Sequence, residues 1–238
     1  MYICAITLTG LAGPPLLAQS ADALYADRAT LTSARRAADL WNTALTSNPR
    51  DFESAWKLAR ADYWLGGHAP RSERRSFYEQ GIEAGRRAIA IEPNRPEGHF
   101  WLGANMGALA ESAGLGAGLK YRKPIKAEFE TVLDLDPAFL EGSADRALGR
   151  WYHKVPRLFG GSHKQAEDHL KAALKYKDDS AVTHYFLAEL YIDDGRVPDA
   201  RVELQKVLDA PIDPEWVPED REWKLKANQL LTTLNSQR

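Results

Sequence analysis

The chain has 238 residues, of which 44% are hydrophobic and 27% are charged, and its formal net charge is −2. This composition is typical of a globular protein, and the length suffices for one large domain or a short array of repeats. Because acidic and basic residues are interspersed and nearly cancel, the chain has no basic field to attract phosphates. We therefore expect no nucleic-acid partner.

The first twenty residues are uncharged and mostly apolar, and they end in small residues near Ala18–Ala21. Such a segment, followed by a polar stretch, is typical of a secretory leader. We predict a leader over residues 1–20, cleaved or retained as an anchor, and a single helical-repeat domain over residues 21–238 of a periplasmic or otherwise exported protein. The only cysteine, Cys4, lies in the leader, so a cleaved chain would contain no disulfide and no cysteine-bound metal.

The remaining sequence repeats a signal that ends one helix and begins the next. The signals lie at Pro49, Pro93, Pro137 and Asp178, which are 44, 44 and 41 residues apart. An aromatic segment follows at the same offset, as GHFWLG does after Pro93 and THYFLA after Asp178. Proline and aspartate suit the first turn of a helix, where backbone amides are unpaired. Each unit is therefore predicted to be a hairpin of two helices, A and B.

The predicted fold is all-α: a tetratricopeptide-like α-solenoid of about five helical hairpins with long connectors between helices A and B. The unit Ala181–Asp213 closely resembles the tetratricopeptide repeat, and its packing positions are Leu187, Ala188, Tyr191, Gly195, Ala200 and Leu204. No segment has the pattern of a strand. The predicted helices cover residues 22–47, 51–65, 73–91, 96–112, 117–135, 138–153, 163–176, 180–193, 197–209 and 218–235.

The middle units are longer than an ordinary repeat, and we place the surplus between helices A and B, at residues 66–73, 113–124 and 154–163. In the third connector, Pro156 is expected to end a helix and Ser162 to cap the next one. Leu158 and Phe159 are expected to pack between these two points. Repeat insertions usually gather on one face, which is often the functional face.

The segments LGRWYHKVP at 148–156 and FGGSHKQAEDHLKAAL at 159–174 are similar to the T-component (TatT) family of tripartite ATP-independent periplasmic (TRAP) transporters. This resemblance covers about residues 50–235. It implies an exported accessory protein that associates with an extracytoplasmic substrate-binding protein, forms ring-like homo-oligomers and binds a small hydrophobic ligand. A looser likeness to mitochondrial regulators of microtubule dynamics lies around residues 148–151.

In repeats of this kind, the concave groove is lined by residues of helix A outside the packing positions. The residues predicted to bind are Trp56, Arg60, Tyr63, Phe100, Ala104, Arg146, Arg150, Trp151, Tyr152, Tyr185 and Glu189. Aromatic side chains along a groove would hold an apolar ligand or an extended partner segment. In the alternative interpretation, the aromatic residues are core between repeats, and the arginines at 146 and 150 pair with Asp145 or Glu141.

No sequence motif supports catalysis. The six histidines are scattered without an HExxH motif, the glycines of residues 114–120 lack the spacing of a phosphate loop, and no serine lies in a nucleophile elbow. We therefore predict no enzyme, metal or cofactor. The leading hypothesis is an exported binding and assembly protein. The alternatives are a general periplasmic scaffold without a ligand, and an enzyme with His153 and His163 on the insertion face.

Overall fold

The computed structural model describes residues 20–113 and 115–236, so the predicted leader lies outside the described residues except for Ser20. Within these ranges all regular structure is helical. None of the described helices combines the length and the apolar character that crossing a bilayer requires. The helices are α1 (Ala21–Ala26), α2 (Leu31–Ser47), α3 (Phe52–His68), α4 (Arg71–Ile91), α5 (Pro96–Ala113), α6 (Leu115–Leu135), α7 (Ser143–Lys154), α8 (His163–Ala173), α9 (Ala181–Asp193), α10 (Val197–Asp209) and α11 (Val217–Ser236).

The helices form five consecutive antiparallel hairpins, and α11 follows the last one. We call α3, α5, α7, α9 and α11 helices A, and α2, α4, α6, α8 and α10 helices B. Helices A contact one another in chain order, and each helix B packs against the next helix A. The predicted tetratricopeptide-like solenoid is therefore confirmed. Its core follows the predicted packing positions, because Leu187, Ala188, Ala200 and Leu204 are each at most 1% exposed. A leucine buried in this way contributes about 1.5–3 kcal/mol relative to an exposed one.

Two predicted helices differ from those in the structure by an interruption or by more than three residues at one end. The helix predicted over 22–47 is interrupted after α1, because the Asp27 carboxylate accepts hydrogen bonds from the hydroxyls of Thr30 and Ser33. These local bonds compete with the helical pattern. The helix predicted from 138 begins at Ser143, because residues 140–142 have positive φ angles of 44°, 57° and 75°. The resulting turn packs Leu140 against the core of α3–α5.

The surplus length of the first two long repeats lies in helix and not in irregular connectors. Only Ala69 and Pro70 separate α3 from α4, and α6 begins two residues after α5 ends, with Pro124 inside it. Gly66 is tolerated in α3 because it lets the ring of Tyr78 approach closely; a Cβ there would lie 2.4 Å from that ring. Gly66, one of the residues that suggested a connector, therefore serves helix packing.

The third connector is irregular, as predicted. A 3₁₀ turn covers Arg157–Phe159, and the Ser162 hydroxyl accepts a hydrogen bond from the Gln165 amide at 3.3 Å. The predicted packing of Leu158 is wrong, because 88% of this residue is exposed. Phe159 is 39% exposed. The rigid turn points both side chains outward, since Phe159 and Gly161 donate their amides to the Pro156 carbonyl at 2.8 and 3.3 Å.

Candidate functional site

Most of the predicted binding residues lie on one surface of helices A, which we call the inner surface. The hydrophobic centre of its first half is Trp101, which is 5% exposed and packs with Ala59 and Ala84. The Tyr63 ring lies 5.7 Å from that of Trp101 between centroids, and Tyr63 itself is 40% exposed. The inner surface comprises Trp56, Arg60 and Tyr63 of α3, Phe100 and Ala104 of α5, Arg146 and Arg150 of α7, and Tyr185 and Glu189 of α9.

Arg150 joins three helices of the inner surface. Its Nε donates to Glu111 at 3.1 Å, and its Nη1 donates to Glu189. Although burial lowers the pKa of Arg150, the two carboxylates raise it overall, so the side chain is a permanently neutralised cation. The predicted partners Asp145 and Glu141 are wrong for this residue. They pair instead with His169 at 2.7 Å and with Lys177 at 3.0 Å.

Arg60 and Arg146 have no carboxylate partner among the described residues. Arg60 lies between aromatic faces, with its guanidinium carbon 4.2 Å from the ring centroid of Tyr25 and 5.0 Å from that of Trp56. Arg146 donates one weak hydrogen bond, 3.4 Å long, to the carbonyl of Leu140. Burial lowers the pKa of Arg60 and lowers that of Arg146 to about 10. Both side chains still carry their charge at neutral pH, and neither forms a salt bridge among the described residues.

Trp151 and Tyr152 do not belong to the inner surface, and that part of the prediction is wrong. Both are buried in the core between α6, α7 and α8. The Trp151 indole donates to the carbonyl of Arg122 at 2.8 Å, and the Tyr152 ring stacks on His169 at 5.3 Å. They lie on other faces of α7 than Arg146 and Arg150 because adjacent helical residues are about 100° apart. For these two aromatic residues the core interpretation is correct.

The beginning and the end of the array are joined, which the sequence patterns did not predict. The Arg28 guanidinium donates to both carboxylate oxygens of Glu219 at 2.8 and 2.5 Å and to the carbonyl of Glu215 at 2.7 Å. His68 reaches Glu222 at 2.5 Å. Trp216 also packs against the Trp101 cluster. The start of α11 therefore covers one side of the inner surface.

A concave feature, which we call the outer pocket, lies between α6 and the connector after α7. Its volume is about 410 Å³. Three basic side chains and three large apolar ones surround it, with a single carboxylate. The lining residues are Arg122, Lys123, Lys126, Ala127, Glu130, Trp151, Leu158 and Phe159.

Each of the six histidines contacts a carboxylate on another helix or in a following turn. His99 and His184 occupy the same repeat position and have the same surroundings. Nδ1 of His99 lies 2.6 Å from Glu128 and Nε2 lies 2.9 Å from the Pro93 carbonyl. The shared histidine of GHFWLG and THYFLA was the sequence signal for this pair. The described residues contain no group of three or more potential ligands placed to hold a metal ion.

Two family models match more than half of the chain. The model described as TRAP transporter T-component matches residues 98–231, and the model described as Regulator of microtubule dynamics protein 1-3 matches residues 17–159. The two matches overlap in the central repeats. No curated protein matches the chain.

Solved structures share the fold. A thermophilic TPR protein from Thermus thermophilus is 24% identical, with a TM-score of 0.67, and the alignment covers 89% of this chain and 95% of that chain. The crystal structure of MamA is 15% identical, with a TM-score of 0.51 and coverage of 84% and 95%. At these identities the similarity shows the tetratricopeptide-type architecture alone.

Proposed function

We propose that the chain is an exported binding and assembly protein, because it belongs to the TRAP transporter T-component family. Through residues 17–159 it belongs also to the family of the regulators of microtubule dynamics. Its partner is the extracytoplasmic substrate-binding protein of a tripartite transporter, and a segment of that partner occupies the inner surface. A small hydrophobic group, from the partner or from a ligand, contacts the aromatic residues there. No catalytic step is part of this function.

The main support for the proposal is a contrast between two pairs of arginines. Arg28 and Arg150 form salt bridges with carboxylates of this chain, whereas Arg60 and Arg146 form none among the described residues. A partly buried cation without a counter-ion is unfavourable, and a carboxylate that reaches it forms a charge-assisted hydrogen bond. The inner surface therefore suits a partner segment that presents acidic side chains.

The aromatic residues supply the apolar part of such an interface. Tyr63 is 40% exposed next to Trp101, and Tyr185 and Phe186 lie 5.1 and 5.5 Å from Trp223 across the surface. Tyrosine, tryptophan and arginine are enriched among the residues that dominate binding energy in protein interfaces. A segment with alternating acidic and apolar residues would therefore satisfy both kinds of group along the same surface.

The test is crosslinked affinity capture of the exported chain from its own periplasm, read by mass spectrometry. We compare the natural chain with Arg60→Gln/Arg146→Gln and with the matched control Arg75→Gln/Arg86→Gln, whose arginines are exposed on α4. We expect the natural chain and the control each to recover a solute-binding protein in an amount nearly equal to that of the chain itself. Arg60→Gln/Arg146→Gln should recover at least tenfold less of it. Circular dichroism checks that all three chains have the same helical content.

Equal recovery by Arg60→Gln/Arg146→Gln would refute the role of the inner surface. Recovery of unrelated proteins in place of a solute-binding protein would favour the alternative, a general periplasmic scaffold without a ligand. The protein would then still bind partners, but it would have no role in a tripartite transporter.

A further inference from the structure

The outer pocket combines apolar and cationic walls in a way that the fold does not require. Its apolar wall consists of Trp151, Leu158 and Phe159. Leu158 is the most exposed large hydrophobic residue of the described chain, at 88%. Single exposed leucines are common on protein surfaces, but this one borders a concave space together with two aromatic residues.

The position of the apolar wall is fixed by the backbone. Phe159 and Gly161 both donate to the Pro156 carbonyl, and the Ser162 amide donates to the Tyr152 carbonyl at 2.9 Å. Gly161 is required at its place, since a Cβ would lie 1.6 Å from the Val155 carbonyl oxygen. The connector is thus a rigid turn that holds Leu158 and Phe159 at the rim of the pocket. A preformed wall of this kind lowers the entropic cost of binding.

The cationic wall comes from one segment of α6. Lys123 has no carboxylate partner among the described residues. The Arg122 guanidinium donates only to the Leu119 carbonyl at 2.8 Å and lies 5.5 Å from the Phe159 ring centroid. Lys126 pairs with Glu130, the one acidic residue of the pocket. The lining therefore has three positive charges and one negative charge, in a chain whose net charge is −2.

We propose that the outer pocket binds a soluble anionic amphiphile, a single-chain molecule with an acidic head group and a short alkyl or acyl tail. The tail lies against Leu158, Phe159 and the edge of Trp151, and the head group lies between Arg122 and Lys123. The volume of about 410 Å³ is within the range of small-molecule pockets, roughly 300–1,000 Å³. A concave space of this size fits a single tail better than the flat apolar plane that a bilayer surface would contact.

This inference does not rest on the proposed function, because the outer pocket and the inner surface are formed by different faces of the array. Arg122 and Lys123 belong to α6, a helix B, whereas Arg60 and Arg146 belong to helices A. Separate variants can therefore distinguish the two sites.

The experiment titrates the full chain with sodium decanoate and follows tryptophan fluorescence and heat. 1-Decanol is the uncharged probe with the same chain length. The variants are Arg122→Gln/Lys123→Gln for the cationic wall, Leu158→Ser for the apolar wall, and Arg75→Gln/Arg86→Gln as the matched control on α4, away from both sites. All substituted residues are at least partly exposed, and circular dichroism checks the fold of each variant.

We expect decanoate to bind the natural chain and Arg75→Gln/Arg86→Gln equally, and to bind each outer-pocket variant at least tenfold more weakly. Decanol should bind the natural chain at least tenfold more weakly than decanoate. Equal binding of decanoate by the natural chain and Arg122→Gln/Lys123→Gln would overturn the proposal, as would no binding at all.

A second arm distinguishes a soluble amphiphile from a bilayer surface. The chain is sedimented with vesicles of phosphatidylglycerol and with vesicles of phosphatidylcholine. We expect neither to retain it through this pocket. If phosphatidylglycerol vesicles retain the natural chain but not Leu158→Ser, and decanoate does not bind, the site recognises an anionic membrane and the proposal is wrong.

Discussion

The ion pair between Arg28 and Glu219 joins residues 191 positions apart, and its removal should show how much the closed array depends on it. We consider Arg28→Met, which keeps an unbranched apolar stem near Tyr25 and Trp64 while it removes the charge. The side chain of Arg28 is 5% exposed and that of Glu219 is 22% exposed. The variant therefore leaves a largely buried carboxylate without its partner.

Loss of one member of a buried ion pair usually destabilises a protein by about 3–5 kcal/mol. Because Glu219 keeps some contact with water, we expect the lower end, about 3 kcal/mol, in the free energy of unfolding. The measurement is urea denaturation followed by circular dichroism. The matched control is Lys164→Met, whose pair with Asp168 has side chains that are 85% and 59% exposed, and here we expect a loss of at most about 1 kcal/mol.

Replacement of both partners, in Arg28→Met/Glu219→Met, should recover part of the lost stability, because no charge is then left buried alone. If Arg28→Met lost no more stability than Lys164→Met, the buried ion pair would not stabilise the fold as proposed. In that case the contact between the first and last helices would be incidental to the fold.

Three further predictions concern groups whose surroundings are unusual. The hydrogen bond to Glu128 raises the pKa of His99 in the folded protein. The stabilisation that protonated His99 provides is therefore complete below about pH 6.5 and is lost as the pH rises through the pKa of the folded state. In urea denaturation, His99→Gln should cost more stability at about pH 5.5 than at about pH 9. Burial raises the pKa of Asp62, which is 2% exposed and has one carboxylate oxygen without a partner among the described residues. The contribution of protonated Asp62 to folding stability is present below about pH 3.9 and is lost as the pH rises and the buried carboxyl ionises. Asp62→Asn should therefore be more stable than the natural chain by at least about 1 kcal/mol at neutral pH and equally stable near pH 3. Trp151→Ala should lower the free energy of unfolding by about 3–5 kcal/mol, since the indole is core.

Each of these predictions has an outcome that contradicts it. A cost of His99→Gln that is constant with pH would mean that the ring is neutral beside Glu128. A less stable Asp62→Asn would reveal a bond that the ionised carboxylate makes and the amide cannot. If Trp151→Ala reduced partner capture without any loss of stability, the assignment of Trp151 to the core would be wrong.

The sequence predicted those parts of the fold that depend on local periodicity. The spacing of Leu187, Ala188, Ala200 and Leu204 placed the packing face, because residues three and four apart share one side of a helix. Pro156 and Ser162 correctly marked the end of one helix and the cap of the next, because both act through their own backbone neighbours. These features need no knowledge of distant contacts.

Features that depend on contacts between distant residues could not be predicted in this way. Gly66 resembles a connector residue, but it lies in a helix because the Tyr78 ring packs on it. The partners of Arg150 are 39 residues away in either direction, and that of Arg28 is 191 residues away. Trp151 was placed on the wrong face because an aromatic residue at helical spacing suits both a groove and a core.

The most direct test of partner binding by the inner surface is site-specific photo-crosslinking. A photoreactive phenylalanine analogue replaces Tyr63, which is 40% exposed on the inner surface, or Leu40, which is 44% exposed on the helix B side of the array. The chain is then irradiated in its own periplasm. We predict that a solute-binding protein is crosslinked from position 63 and not from position 40. Crosslinking from position 40 alone, or from neither position, would contradict it.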